Sequence, residues 1–335
     1  MGHALGKCSK LMRYADAPYR HDLADGPAEW SCHWITADDG TNLRVCNWTQ
    51  AAPQGTVFVF QGRTEYIEKY GRIAQMLVQC GWNVVAIDWR GQGYSERPEH
   101  DQMQGYVDHF AQYQQDIDAL IDYAKSIDLP KPWNMVGHSM GGCIGLRALH
   151  RRGDEFDHVT FSAPMWGIEF GTFMNPFART IAKIGVSLGF AKSYVPSASS
   201  ECYLLTGEFD GNRLTNDAEN WRYMVDQVKG DQELRLGGPS FSWVNAAVIE
   251  MNDLMSSTPP NVPAMILLGT DEAVVSSKNI RDHMNKWNNG ILLEIQNGRH
   301  EVLMERSDLI HKLIRDIDAF FRDEVIVEGA LIAAE

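Results

Sequence analysis

The order of apolar and polar positions divides the chain into alternating elements. "SCHWITADDGTNLRVCNW" reads as two strands hinged at Asp38-Asp39-Gly40, a turn sequence suited to a hairpin. Six further runs are apolar with little alternation: "TVFVFQG" (56–62), "WNVVAIDWRGQG" (82–93), "WNMVGHS" (133–139), "HVTFSAP" (158–164), "AMILLGTDE" (264–272) and "ILLEIQNGRH" (291–300). Between them, "EYIEKYGRIAQMLVQCG" and "HFAQYQQDIDALIDYAKSIDL" repeat apolar residues at helical spacing. Strands buried on both faces and alternating with helices predict an α/β fold, a mostly parallel sheet of eight strands flanked by helices.

The alternation stops between about residues 165 and 240. "MWGIEFGTFMNPFARTIAKIGVSLGF" is rich in Met, Trp and Phe, and the polar "LLTGEFDGNRLTNDAENWRYMVDQ" follows it. This pattern predicts a helical cap inserted after strand six. The expected division is a discontinuous core of residues 1–164 and 241–335, with a cap of residues 165–240 above the strand ends. A cap with many large apolar side chains in that place suits an apolar pocket.

Loops at the carboxyl ends of parallel strands collect functional groups. Here those ends carry Gln61-Gly62-Arg63, Gly137-His138-Ser139, Asp271-Glu272 and Arg299-His300. Gly137-x-Ser139-x-Gly141 between a buried strand and a helix is the pattern of a nucleophile on a strained turn. The helix "MGGCIGLRALHRR" directs its N-terminal dipole at Ser139. A serine hydroxyl needs a base. His300 ends the last core strand and is the candidate; His138 reads as structural and His311 as a residue of the final helix. An acid must orient His300, and Asp271 and Glu272 both follow the seventh strand. Neighbouring residues of extended backbone point opposite ways, so one of the two faces the histidine, and spacing alone does not choose.

Charge narrows the class. A formal net charge of −14 argues against nucleic acid and against purely electrostatic docking to an anionic membrane. No run approaches the roughly 20 apolar residues that span a bilayer. The first residues lack a signal-peptide core, and Gly6 breaks the myristoylation pattern, so the expected location is the cytoplasm. The six cysteines are scattered and read as small buried hydrophobes, neither a disulfide frame nor a zinc site. Gly91-x-Gly93 has no third glycine and no P-loop lysine, so Asp88 and Arg90 read as braces for loops, and Ser95 has no evident base. Arg63, Arg299 and Glu65 stand where a polar head group could meet them; solvated surface charge is an equal reading.

The segments "VFQGRTEYIEKYGRIAQML", "VVAIDWRGQGYSERP", "VGHSMGG", "SAPMWGIEF", "LRLGGPSFSWV", "LLGTDEAVVS" and "NGRHEVLMERSDL" together resemble the monoacylglycerol lipase and bacterial lysophospholipase family of α/β-hydrolases, with the bacterial branch nearer. The resemblance runs from about residue 30 to 322. It implies a serine hydrolase acting on an acyl ester of a monoacyl lipid, without cofactor or metal. Its acid register, G-x-x-D-x-V-V, falls here on Glu272, with Asp271 as the alternate. Its oxyanion amides fall on Arg63 and Met140, and Gln61 replaces the usual histidine of that loop. The acyl chain is then expected under the cap, against Met165, Trp166 and Phe170, with transient contact between cap and lipid surface. Acyl transfer with the same residues, or a non-catalytic binding protein on this fold, are the rival readings. A dehalogenase or epoxide hydrolase needs a carboxylate where Ser139 stands.

Overall fold

The computed structural model of the chain describes residues 14–169, 178–324 and 332–333. Strands β1 (Ser31–Thr36) and β2 (Asn42–Trp48) form the antiparallel hairpin, with Gly40 at φ +90° in its turn. β3 (Thr56–Phe60), β4 (Asn83–Ile87), β5 (Trp133–His138), β6 (His158–Ser162), β7 (Ala264–Gly269) and β8 (Gly290–Gln296) complete the eight expected strands. Their order is β1-β2-β4-β3-β5-β6-β7-β8; β2 is antiparallel to both neighbours, and the pairs from β4 to β8 are parallel. A two-residue strand, β9 (Ile332–Ala333), adds a ninth beside β8.

The apolar runs lack alternation because both faces of the sheet are covered. Phe58, Phe60, Met135 and Ile266 face one apolar body, whereas Val57, Val59, Val136, Met265 and Leu267 face the other. A four-residue helix, α1 (His21–Ala24), precedes the sheet. Helix α2 (Gly71–Gln79) covers the second face through Ile73 and Leu77; α3 (Ala111–Ser126) and α4 (Met140–Arg152) cover the first through Ile117, Leu120 and Ile144.

Four described helices lie between β6 and β7: α5 (Ala178–Ser187), α6 (Tyr203–Thr206), α7 (Ala218–Gly230) and α8 (Phe241–Ser256). α8 packs its Val244, Ala247 and Leu254 with α4 on the first face, while Trp221 and Met224 of α7 join the body on the second. The segment therefore straddles the sheet across its carboxyl edge. α9 (Ser277–Met284) and α10 (Ser307–Phe321) close the chain, the latter burying Leu313 and Ile317 on the second face. No helix among the described residues is long and apolar enough to cross a membrane.

Two cysteines depart from expectation. The β1–β2 register sets Cys32 directly opposite Cys46, with Cα atoms 4.0 Å apart, and the two form a disulfide. Scattered spacing conceals such a pair, because cross-strand register and not sequence distance brings the thiols together. Of the described cysteines, Cys80, Cys143 and Cys202 remain thiols.

Asp88 and Arg90 do brace loops. Asp88 accepts from the Arg44 guanidinium and from the amides of Ile67 and Tyr94. Arg44 is fully buried and forks onto Glu68, 2.7 Å at each nitrogen. Arg90 bridges Asp116 and Asp39. Ser95 Oγ donates to the Asp88 carbonyl oxygen and accepts from the Arg44 amide, both loop-bracing contacts.

Candidate active site

Ser139 stands between β5 and α4 at φ 48°, ψ −114°, a conformation L-residues rarely adopt. The bend exists because α4 must start hard against the end of β3: a Cβ on Gly141 would fall 2.0 Å from the Phe60 carbonyl oxygen. Helix α4 then presents its unpaired first amides, and its positive dipole end, at the serine.

His300 lies in the loop after β8, and its Nε2 is 3.0 Å from Ser139 Oγ. Its Nδ1 is 2.7 Å from Glu272 Oε2. Of the two carboxylates after β7, Glu272 is the one against the histidine; Asp271 is solvent-exposed and its side chain touches Thr270 Oγ1 at 3.5 Å. The Glu272 carboxylate also accepts from the Val274 and Val275 amides at 2.6 and 3.1 Å. Burial pushes its pKa up, yet the His300 contact and the two amides outweigh burial and hold it below the usual carboxylate range. An ionised acid, an imidazole and a hydroxyl in line can move a proton from Ser139 to His300 and stabilise the resulting cation.

The histidine loop is tied to the segment above the sheet. Glu301 N donates to Leu214 O at 2.7 Å, Thr215 Oγ1 donates to Met304 O at 2.6 Å, and Asn216 N donates to Glu305 at 3.1 Å. The packing of residues 214–216 and the position of His300 are therefore coupled.

Behind the site lies a buried ionic cluster that the sequence reading does not contain. His138 packs 4.8 Å from the His300 ring, centroid to centroid, and its Nε2 is 3.3 Å from Glu301 and 3.7 Å from Glu65. Lys69 bridges the same two glutamates. Burial pushes the His138 pKa down, but the Glu301 and Glu65 carboxylates overcome it and raise the value. For Glu301 burial works upward and is overcome by His138 and Lys69, which hold its carboxyl well below the ordinary range. Glu65, His138 and Glu301 bring potential metal-ligand atoms within 4.8 Å of one another, and the Lys69 ammonium is the cation among them.

Glu65 links this cluster to the loop after β3, accepting from Gly62 N at 2.5 Å and from the Tyr70 hydroxyl at 2.7 Å. The loop so held carries Arg63. Neither the Arg63 amide nor that of Met140 at the start of α4 has an acceptor among the described residues, so both are free to meet a developing oxyanion. Gln61 is buried, its Nε2 donating to Asp88 at 3.3 Å, and the replacement of histidine there leaves these amides in place.

A cavity of about 560 Å³ opens at Ser139 and His300. Its apolar wall includes Met165, Ile168, Leu204, Leu214, Met224 and Val244, drawn mostly from the segment between β6 and β7. Trp166 is not part of that wall. It is fully buried, stacked on Trp287 with centroids 6.2 Å apart, and its Nε1 donates to Gly142 O at 3.3 Å. Its large apolar ring packs in the core, which corrects the expectation that it meets substrate. Phe170 lies outside the described residues. Arg299 turns to Thr215 O at 3.2 Å, and Glu65 is held in the cluster.

Comparison with known proteins agrees with this architecture. The chain is 28% identical to lysophospholipase L2 of Escherichia coli (strain K12) over 305 residues, 86% of each chain. It is 23% identical to a monoglyceride lipase of Rattus norvegicus over 303 residues, covering 89% of this chain and 92% of that one. Among solved structures, a soluble variant of monoglyceride lipase from Saccharomyces cerevisiae in complex with a substrate analog superposes with TM-score 0.70 at 17% identity, over 92% of this chain and 100% of the other. A thermostable carboxyl esterase from Bacillus coagulans gives 0.68 at 17% identity, over 90% and 100%. The profile of the family described as serine aminopeptidase, S33, matches residues 51–307. The chain belongs to this family of α/β-hydrolases and is a serine ester hydrolase of that class.

Proposed function

We propose that the protein cleaves the acyl ester of a monoacyl lipid, a lysophospholipid or a monoacylglycerol, through an acyl-enzyme on Ser139. The observation that carries this reading is the relay from Ser139 through His300 to Glu272 at the mouth of an apolar-walled cavity. His300 takes the Ser139 proton as the oxygen attacks the ester carbonyl. The Arg63 and Met140 amides hold the oxyanion. The alcohol leaves with the proton from His300, and water, activated by the same histidine, releases the fatty acid. Residues 165–240 serve as the cap over the acyl chain. Ile184, Leu188 and Phe190, each more than half exposed at 52%, 68% and 52%, support contact of that cap with a lipid surface.

Labelling with a fluorophosphonate probe tests the nucleophile: wild type labels and Ser139→Ala does not. Equal labelling of the two overturns the reading. Hydrolysis of lysophospholipids, monoacylglycerols and short-chain esters, with product analysis in the presence of a competing alcohol, then separates hydrolysis from acyl transfer and ranks the substrates.

A further inference from the structure

Half-buried Arg63 stands apart from the other cations held within the fold. Arg44 lies between Glu68 and Asp88, Lys69 between Glu65 and Glu301, and Arg90 between Asp116 and Asp39. Arg97 lacks a carboxylate, but directs its N–H groups at the carbonyls of Gly93, Gln102, Glu233 and Arg235. Arg63 has no carboxylate partner among the described residues, and a single carbonyl, Gly237 O, accepts from its Nη1 at 3.0 Å. Its other guanidinium nitrogens have no acceptor there and are not sealed off from the cavity that holds Ser139 and His300. Burial pushes its pKa down, to about 10, so it stays charged at neutral pH.

The guanidinium is seated by separate chain segments. Its Cζ is 5.4 Å from the centre of the Trp243 ring. That ring is fixed in turn, Nε1 donating to Tyr113 Oη at 3.2 Å, while the Trp243 amide donates to Ser240 Oγ at 3.1 Å. Gly105 N donates to Gly238 O at 3.0 Å, and Ser240 N donates to Gly105 O at 2.9 Å. A Cβ on Gly105 would fall 2.8 Å from Arg63 Nη1, so the bare backbone of Gly105 makes room for the head. A partly desolvated cation with no counter-charge among the described residues gains from an anion that completes it. The matching anion offers two oxygens to the guanidinium fork.

We infer that the Arg63 guanidinium is the subsite for an anionic phosphodiester carried on the alcohol side of the ester, so that the cavity favours lysophospholipids over monoacylglycerols. The inference rests on the proposed ester cleavage at Ser139. It gives Arg63 two parts: its amide meets the ester oxyanion and its side chain meets the phosphate. In a lysophospholipid the glycerol carbons separate the acyl oxygen from phosphorus by about as many bonds as separate an arginine amide from its guanidinium.

The experiment compares kcat/KM for lysophosphatidylglycerol and for monoacylglycerol bearing the same acyl chain, short enough to stay monomeric, in wild type, Arg63→Gln and Arg63→Lys. The readout is the ratio of the two, from which any loss common to both substrates divides out. Loss of a charge-assisted hydrogen bond predicts that Arg63→Gln lowers the ratio about tenfold or more. Arg63→Lys should retain part of it, having the charge without the fork. An unchanged ratio in Arg63→Gln overturns the subsite while leaving ester cleavage intact. Failure of wild type on both esters, or turnover that survives Ser139→Ala, overturns the function on which the subsite rests. Inorganic phosphate separates an attached anion from a free one. Monoacylglycerol turnover that responds to phosphate in wild type and not in Arg63→Gln, with no change in the substrate ratio, assigns the site to free phosphate and overturns the head-group assignment.

Discussion

Two histidine–carboxylate pairs lie side by side at the carboxyl edge of the sheet. His300 meets Glu272 at 2.7 Å, His138 meets Glu301 at 3.3 Å, and the rings are 4.8 Å apart. The pairs share two stretches of backbone, since His138 precedes Ser139 and Glu301 follows His300. What separates them is what lies on the far side of each ring. His300 turns its second nitrogen to a hydroxyl on the cavity wall, whereas the Nδ1 of His138 is 3.0 Å from the Ser162 carbonyl oxygen. The cluster around His138 is closed as well: two carboxylates, Glu65 and Glu301, face the Lys69 ammonium and the His138 imidazole, whose pKa they raise. An imidazole and a carboxylate thus become a proton relay or a structural clamp according to whether the pair is left open or neutralised on all sides.

Breaking the open pair should be by far the more severe for catalysis. His300→Ala is expected to lower kcat by about 10⁴-fold or more with little change in the unfolding midpoint. In His138→Gln the emphasis should reverse, with the unfolding midpoint falling and turnover retaining most of its rate. Equal loss of kcat in the two variants would erase the distinction. Next in size is the acid. Glu272→Ala should reduce kcat by about 10³–10⁴-fold, and Asp271→Ala should leave it within about twofold. The opposite ranking in steady-state assays would move the acid to Asp271.

A smaller effect, read in stability, tests the closed pair. Lys69→Met leaves two buried glutamates without the ammonium that bridges them, and urea unfolding should show a loss of about 3 kcal/mol. A loss below about 0.5 kcal/mol would mean that the cluster contributes no net stability. The smallest effect is a pH dependence. His138 is more basic folded than unfolded, so its contribution is complete below the unfolded value of about 6.5 and is lost as pH rises through the raised folded value. Glu301 is more acidic folded than unfolded, so its contribution is complete above about 4.3 and is lost as pH falls through the depressed folded value. The stability gap between wild type and His138→Gln should be widest between about pH 4.5 and 6.5 and should narrow toward pH 9. A gap that stays flat over that range would show that folding does not raise the His138 pKa.

The open pair and the closed pair also differ in how much of each can be read from the chain. Ser139 announces itself because glycines at 137 and 141, a buried run before and a helix after are all local. His300 and the carboxylates of 271 and 272 follow from the rule that loops at the carboxyl edge carry chemistry. The choice between those two carboxylates needs the backbone path after Gly269, which sets Glu272 inward and Asp271 outward. The closed pair has no local signature. Glu65, Lys69 and Glu301 each look like solvated surface charge, and Glu301, which closes the cluster, lies more than 200 positions from the Lys69 ammonium it meets. Trp166 misleads for a related reason: a large ring beside the strand ends suits either a cavity wall or the core, and the choice depends on Trp287 far downstream. The joining of Cys32 and Cys46 is hidden in the same way, in strand register.

The left-handed backbone at Ser139 has a consequence beyond chemistry. Holding a non-glycine residue there costs about 1–3 kcal/mol, a burden the surrounding strand and helix carry continuously. Under the proposed function that burden is offset by turnover, and by nothing else. In a descendant of this chain no longer selected for ester cleavage, Ser139→Gly would relieve the strain in one step, so drift would favour it. The residue at this one position, followed across a lineage, would then record where selection for the reaction ended.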